Sequence, residues 1–456
     1  MTSSPHRSAR TGPRGADGFA VGAPAAFPPR GADWAWLVAI GIAGALLGYL
    51  GKARCRFGGA WLDGTQYQSL CYSDVFALYY RDGLDAGTVP YLDQPVEYPV
   101  LTGGLMHLMA RAASWLPDPL SRGYGYFDAT AAVLGACLVA TVVCVGRLAG
   151  RGGVVPAGRP FDRRAALVAG GFVALAPAAV LTFAINWDLL AVALAVGGIA
   201  CYARERLWAA GALTGLAVAA KFYPFLFFGP LFVLMVRDLA RGGAGRDAAV
   251  RFGVPLLGAL LAWGAVNLPV YLVSPEGWAE FFTFSQERGA DWGSVYYVLG
   301  ALGLFPSADL GTVNLVGTGT LLLACVGIAL LGLFAPRRPP VEQLLFLVVA
   351  AFLVTNKVWS PQFVLWLLPL AALAWPRSRR LRPAAVVLFG LWQLAEVGYI
   401  VGIWHYLWYY QSPAEEVGVG LTAYAVVTFG RLLSLLMVCA LVVVDSVMTG
   451  LSELDN

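Results

Sequence analysis

An all-α polytopic membrane protein with about twelve transmembrane helices is the fold this sequence predicts, and three observations predict it. Of 456 residues, 59% are hydrophobic and only 13% are charged, and the mean hydropathy is +0.68. Soluble globular proteins average about 45–50% apolar and about 25% charged residues. The chain therefore has too little polar material to coat a water-soluble globule of its size, which excludes a cytosolic enzyme, a disordered chain and a nucleic-acid-binding domain. The second observation is a series of apolar stretches near the length of about 20 residues that crosses a bilayer as helix. The third is the sorting of charge: the formal net charge of +4 hides 28 Arg against only three Lys, namely Lys52, Lys221 and Lys357.

The first 33 residues are rich in Pro, Gly, Ala, Ser and Arg and show no apolar periodicity, so they read as a disordered cytoplasmic tail. Span candidates follow at 34–50, 124–146, 165–184, 188–203, 207–221, 222–236, 252–273, 311–335, 341–356, 360–376, 383–403 and 421–444. The first of these has no small-residue cleavage site after it and reads as an uncleaved anchor. A further apolar stretch, 98–116, is interrupted by His107 and Arg111. Its status sets the parity of everything downstream, and arginine placement decides it, because short cytoplasmic loops are enriched in Lys and Arg. Five loops are clearly basic: 147–164, 204–206, 237–251, 337–338 and 377–382. All five share the side of the tail's Arg7, Arg10, Arg14 and Arg30 only if 98–116 does not cross, so 98–116 is expected to be an interfacial or partly inserted helix. Both termini, including the tail 445–456, are then cytoplasmic in a plasma-membrane protein, and the domain 34–444 carries two sizeable outer loops, 51–123 and 274–310. Cys55 and Cys71 both fall in the first outer loop, on the oxidising side, where a disulfide between them is chemically open. The other cysteines, Cys137, Cys144, Cys201, Cys325 and Cys439, sit in or beside spans, as small packing residues do.

Polar residues gather at the outward turns of three hairpins, 165–203, 207–236 and 341–376. The second has 30 residues; an arm of about 15 residues reaches roughly 22 Å, short of a hydrocarbon core of about 30 Å. Its turn, Lys221-Phe222-Tyr223-Pro224, is expected at the floor of an outward cavity. The other turns carry Asn186-Trp187-Asp188 and Asn356-Lys357-Val358-Trp359-Ser360-Pro361-Gln362. A lysine at membrane depth calls for a pathway, a partner or an anionic ligand. Snorkelling to the interface, or a structural salt bridge with Asp188, accounts for one lysine; two of the chain's three lysines among Asn, Asp, Ser and Gln on one side favour a site for an anionic group. Pro224 and Pro361 break the helices there and free backbone groups for a ligand.

The first outer loop holds Cys71-Tyr72-Ser73-Asp74-Val75 and then Pro90-Tyr91 and Glu97-Tyr98-Pro99. Residues 74–84 place Val75, Leu78 and Tyr79 on one face, as in a helix lying along a membrane surface. Ser73 or Asp74 is a natural N-cap for it, and Glu97 reads by default as a solvated turn acid. The last outer segment, Trp404 to Gln411, is dense in aromatics: an interfacial belt by default, or a stacking surface for a sugar or isoprenoid. His6, His107 and His405 are the only histidines, so no histidine-based metal cluster is expected. Arg431, mid-span, needs a partner; Glu396 is the candidate, as a structural pair. Arg288 and its acidic neighbours in 274–310 are solvated by default.

In order, Ser73-Asp74-Val75, Pro90-Tyr91, Glu97-Tyr98-Pro99, Asn186-Trp187-Asp188, Lys221-Phe222-Tyr223-Pro224, Asn356-Lys357 and Ser360-Pro361-Gln362 resemble the GT-C glycosyltransferases of the GT87 type, the polyprenol-phosphate-mannose-dependent mannosyltransferases of actinobacterial envelopes. The likeness runs from about residue 34 to 444 and departs at Val100, where the family pattern often has a second proline. It implies a GT-C fold, a polyprenyl-phosphate-linked sugar donor, a glycolipid or glycan acceptor on the extracytoplasmic side, inversion at the anomeric carbon, and neither metal nor cofactor. Asp74 would be the general base, with Glu97 in reserve. Lys221 and Lys357, joined by His405 or Arg288, would hold the donor phosphate; Tyr98, Asn186, Asp188, Tyr223, Asn356, Ser360 and Gln362 would meet sugar or acceptor. Sugar choice rests on a few hydroxyl contacts, so transfer of arabinofuranose or another sugar stays an alternative. A lipid-linked-sugar transporter or flippase is the rival from another class; it also needs buried polar groups near the midplane. It does not need a large ordered outer loop, and the chain has no two-fold internal repeat.

Overall fold

The computed structural model describes residues 31–155, 160–242, 245–412 and 417–448. Among them there is no β-strand, only one isolated bridge between Pro90 and Gln94. The helices are α1 (Gly31–Leu50), α2 (Ala53–Gly58), α3 (Asp74–Arg81), α4 (Val100–Ala113), α5 (Pro119–Gly150), α6 (Arg163–Leu175), α7 (Pro177–Thr182), α8 (Asp188–Tyr202) and α9 (Leu207–Ala220). They continue as α10 (Phe228–Ala240), α11 (Gly245–Val273), α12 (Pro275–Glu287), α13 (Val295–Ala301), α14 (Leu310–Phe334), α15 (Val341–Thr355), α16 (Val364–Leu373), α17 (Arg382–Gln411) and α18 (Leu421–Met448). Single 3-10 turns, Tyr223–Phe227 and Pro361–Phe363, lead into α10 and α16.

The protein is a multi-pass membrane protein. Seven helical stretches are long and apolar enough to cross a bilayer, and four shorter ones, Asp188–Tyr202, Leu207–Ala220, Val341–Thr355 and Pro361–Leu373, are equally apolar. Each of the twelve apolar stretches in the sequence falls on one of these helices or, for 165–184, on α6 and α7 together. That stretch is not one helix. Pro177 lacks an N–H and forces Ala176 out of the helical region, to φ −55° and ψ 131°.

Length and surroundings agree. The long helices α11 and α14 present Leu272, Leu315, Leu323 and Phe334 outward at 69–74% exposure, as a lipid-facing surface does. The short α15 and α16 are buried on nearly every side: Leu344, Phe346, Val349, Val364, Leu367 and Ala371 are all inaccessible. A helix apolar all round belongs inside a bundle, and one walled by protein need not match the bilayer's thickness. Small residues set the closest approach. Gly211 and Gly215, four apart on α9, let it ride on Pro255 and Ala259 of α11, where a Cβ would strike the backbone.

The stretch 98–116 contains α4, 14 residues long, which is about 21 Å at the helical rise and short of a bilayer core. It is packed inward through Met106 and Ala110, and its Thr102 hydroxyl donates to the Ala220 carbonyl at 2.7 Å. The loop 51–123 thus carries α2, α3 and α4, and the loop 274–310 carries α12 and α13. Cys55 and Cys71 are joined by a disulfide.

Three boundaries differ from the sequence-based expectation. The tail assigned to 1–33 lies mostly outside the described residues, and α1 already begins at Gly31. The segment 404–411 is the last part of α17 rather than a loop, because nothing in it breaks a helix before Ser412. The segment 445–456 starts inside α18, where Asp445 and Ser446 are buried and bonded to Gln343 of α15; residues 449–456 lie outside the described residues.

Candidate active site

The outward turns and the loop before α3 come together. Four consecutive residues of that loop are each fastened by a different bond. Cys71 is linked to Cys55. The Tyr72 carbonyl accepts from Lys52 Nζ at 2.9 Å, the Ser73 hydroxyl donates to the Ala184 carbonyl at 2.6 Å, and the Asp74 N–H donates to the Ile185 carbonyl at 2.7 Å. Ser73 occupies the N-cap position of α3 but makes no capping hydrogen bond, and Asp74 makes none there either. The Ser73 hydroxyl is spent on tertiary attachment instead, and the Asp74 carboxylate on the Tyr72 phenol. The receiving turn is strained at Ala184, whose φ is +50°.

Asp74 is half-buried, and its Oδ1 accepts the Tyr72 phenol at 2.7 Å. Burial pushes its carboxyl up to about 6; the Tyr72 hydrogen bond and the Lys221 charge oppose the rise, while Glu97 and Asp188 add to it. A carboxylate poised near neutral pH in a shared field of titratable groups is what general-base chemistry needs.

Lys221 ends α9 and Asp188 begins α8, and the two pair at 3.1 Å with side-chain exposures of 18% and 0%. The salt bridge weighed from the sequence is therefore present, yet the ammonium keeps an accessible face while the carboxylate does not. The Lys221 ammonium also stands 5.1 Å from the Tyr98 ring centroid and 5.4 Å from that of Phe363. Asn186 accepts the Asp188 N–H through Oδ1 at 3.0 Å, and Tyr223 is buried in a stack on Trp366 at 4.2 Å. Both contacts shape the site. Tyr98 lies edge-on to Trp187, 5.1 Å between centroids.

The third turn is bound to the second outer loop. Arg288 pairs with Asp291 at 3.1 Å, the Asp291 N–H donates to the Lys357 carbonyl at 2.8 Å, and the Ser360 hydroxyl reaches Asp291 Oδ2 at 3.4 Å. Arg288 is thus no solvated loop charge: its guanidinium lies in the field of Glu97 and Tyr98. Lys357 donates to the Gln286 carbonyl at 2.9 Å, and partial burial with the neighbouring Arg288 charge lowers its pKa. Glu97 is likewise not simply solvated, since Arg81 pairs with it at 3.3 Å. Asn356 accepts the Val358 N–H at 3.3 Å within the turn. Gln362 is buried, and its Oε1 has no hydrogen-bond partner among the described residues. Lys221 thus neighbours Tyr98, Arg288 lies in the field of Glu97 and Tyr98, Lys357 in that of Arg288, and Asp74 in that of Glu97 and Lys221.

His405 is not brought to this group by any described contact. It lies on α17, edge-on to Trp408, and its carbonyl accepts the Val419 N–H; the aromatic segment that carries it is helix, which directs it elsewhere. Two contributors were missed. Lys52 is buried at 1% exposure beneath Tyr72, and its rarity as one of three lysines was the available signal. Arg431 pairs with Glu396 as expected and also donates to the Trp359 and Ser360 carbonyls, anchoring the Lys357 turn; no sequence spacing discloses that contact.

A cavity of about 260 Å³ opens beside Lys221, lined by Tyr98, Phe222, Trp263, Asn267, Trp278 and Phe282. A larger apolar one of about 400 Å³ lies between the C-terminal half of α8 and the N-terminal half of α9, and neither cavity has a charged lining residue. Among the described residues no three His, Cys, Asp or Glu side chains are grouped to hold a metal ion.

No family model matches the chain. A curated protein of Mycolicibacterium smegmatis, the polyprenol-phosphate-mannose-dependent alpha-(1-2)-phosphatidylinositol mannoside mannosyltransferase, is 29% identical over 331 residues, covering 69% of this chain and 67% of that protein. The chain is thus similar to that mannosyltransferase over about two thirds of the length of each. A solved structure of ArnT from Cupriavidus metallidurans bound to undecaprenyl phosphate covers 92% of the chain and 79% of its own at 14% identity and a TM-score of 0.46. That likeness is too loose to place any residue.

Proposed function

We propose that this glycosyltransferase moves a mannosyl residue from a polyprenyl-phosphate-linked donor to a hydroxyl of an envelope glycolipid or glycan, on the extracytoplasmic side of the plasma membrane. The mannosyltransferase homologue supports the sugar and its carrier. The five basic loops, all on the side opposite the polar turns in a twelve-crossing chain, support the sidedness and the cytoplasmic termini.

In the reaction, Asp74 takes the proton of the acceptor hydroxyl. The acceptor oxygen forms its bond to the anomeric carbon from the face opposite the phosphate, inverting that centre. The bond from carbon to phosphate oxygen breaks, and its electron pair leaves on the polyprenyl phosphate. That leaving group is already charged, so fixed cations serve it better than an acid catalyst. Lys221, Arg288 and Lys357 are those cations, and no metal or cofactor takes part in the scheme. The aromatic cavity beside Lys221 receives the first isoprene units. Glu97, tied to Arg81, orients rather than reacts.

The observation that carries this assignment is the half-buried Asp74, its carboxyl raised toward neutrality, set in the field of the Lys221–Asp188 pair. The test supplies purified protein with radiolabelled polyprenyl-phosphate-mannose and a panel of envelope acceptors. Asp74→Asn should lower transfer by about 10²–10⁴-fold while donor binding persists. Full transfer by that variant overturns the base assignment, and movement of an intact lipid-linked sugar without transfer overturns the enzyme.

A further inference from the structure

We propose that Tyr72 is a positioning residue for Asp74: its phenol engages Oδ1 so that Oδ2 takes the acceptor's proton, and Lys52 holds Tyr72 in turn. The proposal rests on Asp74 being the base. Its own support is a continuous set of contacts that the base assignment does not require.

Tyr72 is fixed at three points. Its hydroxyl donates to Asp74 Oδ1 at 2.7 Å, its carbonyl accepts from Lys52 Nζ at 2.9 Å, and its ring packs against Tyr67 at 5.4 Å and Trp404 at 5.1 Å, which also stack on each other at 5.9 Å. Lys52 is 1% exposed, and its ammonium has no other hydrogen bond among the described residues. An ammonium sunk at a helix end is costly. Placing it on the carbonyl of the residue that grips the base, within the base's own field, recovers part of that cost. The Cys55–Cys71 bond ties the chain immediately before Tyr72 to α2, three residues from Lys52, so both ends of the contact are held to one platform.

The consequence is chemical. Asp74 has two oxygens, and one is occupied by the phenol. The other accepts no hydrogen bond from the described residues and is left for the acceptor hydroxyl. The phenol also stabilises the carboxylate over the acid, keeping the base ionised against the burial that opposes it. The charged and titratable groups around Asp74 are Glu97 and Tyr98 from the segment before α4, Asp188 from α8, Lys221 from the end of α9, Lys52 beside α2, and Tyr67 and Tyr72 from its own loop. Tyr72→Phe changes only the last of these.

The experiment is the pH dependence of kcat/KM for mannosyl transfer in detergent or proteoliposomes. Wild type should lose activity as pH falls through about 6. Removing a donor to a carboxylate raises its pKa, so Tyr72→Phe should move that acid limb upward by about one pH unit and lower the kcat plateau above it. Replacing Tyr72 by 3-fluorotyrosine, which keeps ring and hydroxyl but donates more strongly, should move the limb downward and serves if the phenylalanine variant does not fold. Lys52→Met should lower kcat with donor KM unchanged, and Lys52→Arg should restore it. A limb that stays put in both Tyr72 variants, or a Lys52→Met that raises donor KM at constant kcat, overturns the proposal. If Asp74→Asn is inactive while the Tyr72 limb is unmoved, only this inference fails. If Asp74→Asn is active, the base assignment fails with it.

Discussion

Replacing Arg431 by methionine takes a guanidinium out of the protein interior and leaves three acceptors behind. Arg431 and Glu396 pair at 3.0 Å with neither side chain exposed, and the same guanidinium donates to the Trp359 carbonyl at 2.9 Å and the Ser360 carbonyl at 3.2 Å. It is also sandwiched between the Trp359 and Tyr399 rings, 4.1 Å from each centroid. Breaking a buried pair from one side costs about 3–5 kcal/mol, because the surviving charge stays buried. Each carbonyl left without a donor adds about 1–3 kcal/mol. Trp392 still donates to Glu396 Oε1 at 3.1 Å and softens the loss. The expected cost of Arg431→Met is then about 5 kcal/mol, a large share of a typical stability of about 5–15 kcal/mol. Glu396→Leu removes the stranded charge, so the double variant should regain about 3 kcal/mol relative to the sum of the singles. Unfolding by heat or by SDS titration in mixed micelles gives the cycle. Function gives the second half: the Trp359 and Ser360 carbonyls belong to the turn that carries Lys357, so the double variant should keep an elevated donor KM even where it is stable. Additivity of the singles within about 0.5 kcal/mol, or a double variant with normal donor KM, refutes the reasoning.

The Lys221–Asp188 pair separates in the same way. Lys221→Met strands a fully buried carboxylate and should cost about 3–5 kcal/mol; adding Asp188→Asn should restore the melting temperature but not the donor KM, whereas recovery of both would make Lys221 purely structural. The Cys55–Cys71 bridge closes a loop of sequence separation 16, so Cys55→Ser with Cys71→Ser should cost about 3 kcal/mol. Dithiothreitol should lower the wild-type melting temperature similarly and leave the variant's unchanged.

The spans were legible because bilayer and bundle interior both demand apolar helices, and the sequence writes that demand as runs broken by arginine loops. Pro177 was equally visible, but a proline in an apolar run either kinks a helix or ends it. Pro255 and Pro269 sit inside α11 without breaking it, so the residue alone does not decide. Scarcity was the legible signal: two lysines in polar turns singled out Lys221, now paired with Asp188, and Lys357, beside Arg288. It was illegible where bonding is tertiary. Ser73 before a short helix reads as a cap by any local rule, yet its hydroxyl goes to Ala184, a residue 111 positions away. His405 makes no described contact with the group for the converse reason. A histidine among aromatics is attractive in sequence, but helical continuation to Gln411 fixes its direction, and its neighbours are Trp408 and the 418–419 backbone.

The placement of charge at depth follows from helix length. α9 has 14 residues and α16 has 10, which reach about 21 and 15 Å where the hydrocarbon core is about 30 Å thick. Facing lipid, such helices would leave Lys221 and Ser360 in hydrocarbon. They do not face lipid: α16 is enclosed by its neighbours, while α11 and α14 meet the outside. Short inner helices inside a longer outer wall leave a recess whose floor is made of helix ends, and Pro224 and Pro361 mark two of those ends. Helix ends carry unpaired backbone groups, so the polar side chains collect where the backbone already needs partners, as Asn186 does for Asp188 and Asn356 for Val358. Under the proposed reaction such a recess receives a phosphate on a lipid and a hydroxyl from water, and the fastened loop 71–74 holds Asp74 beside it.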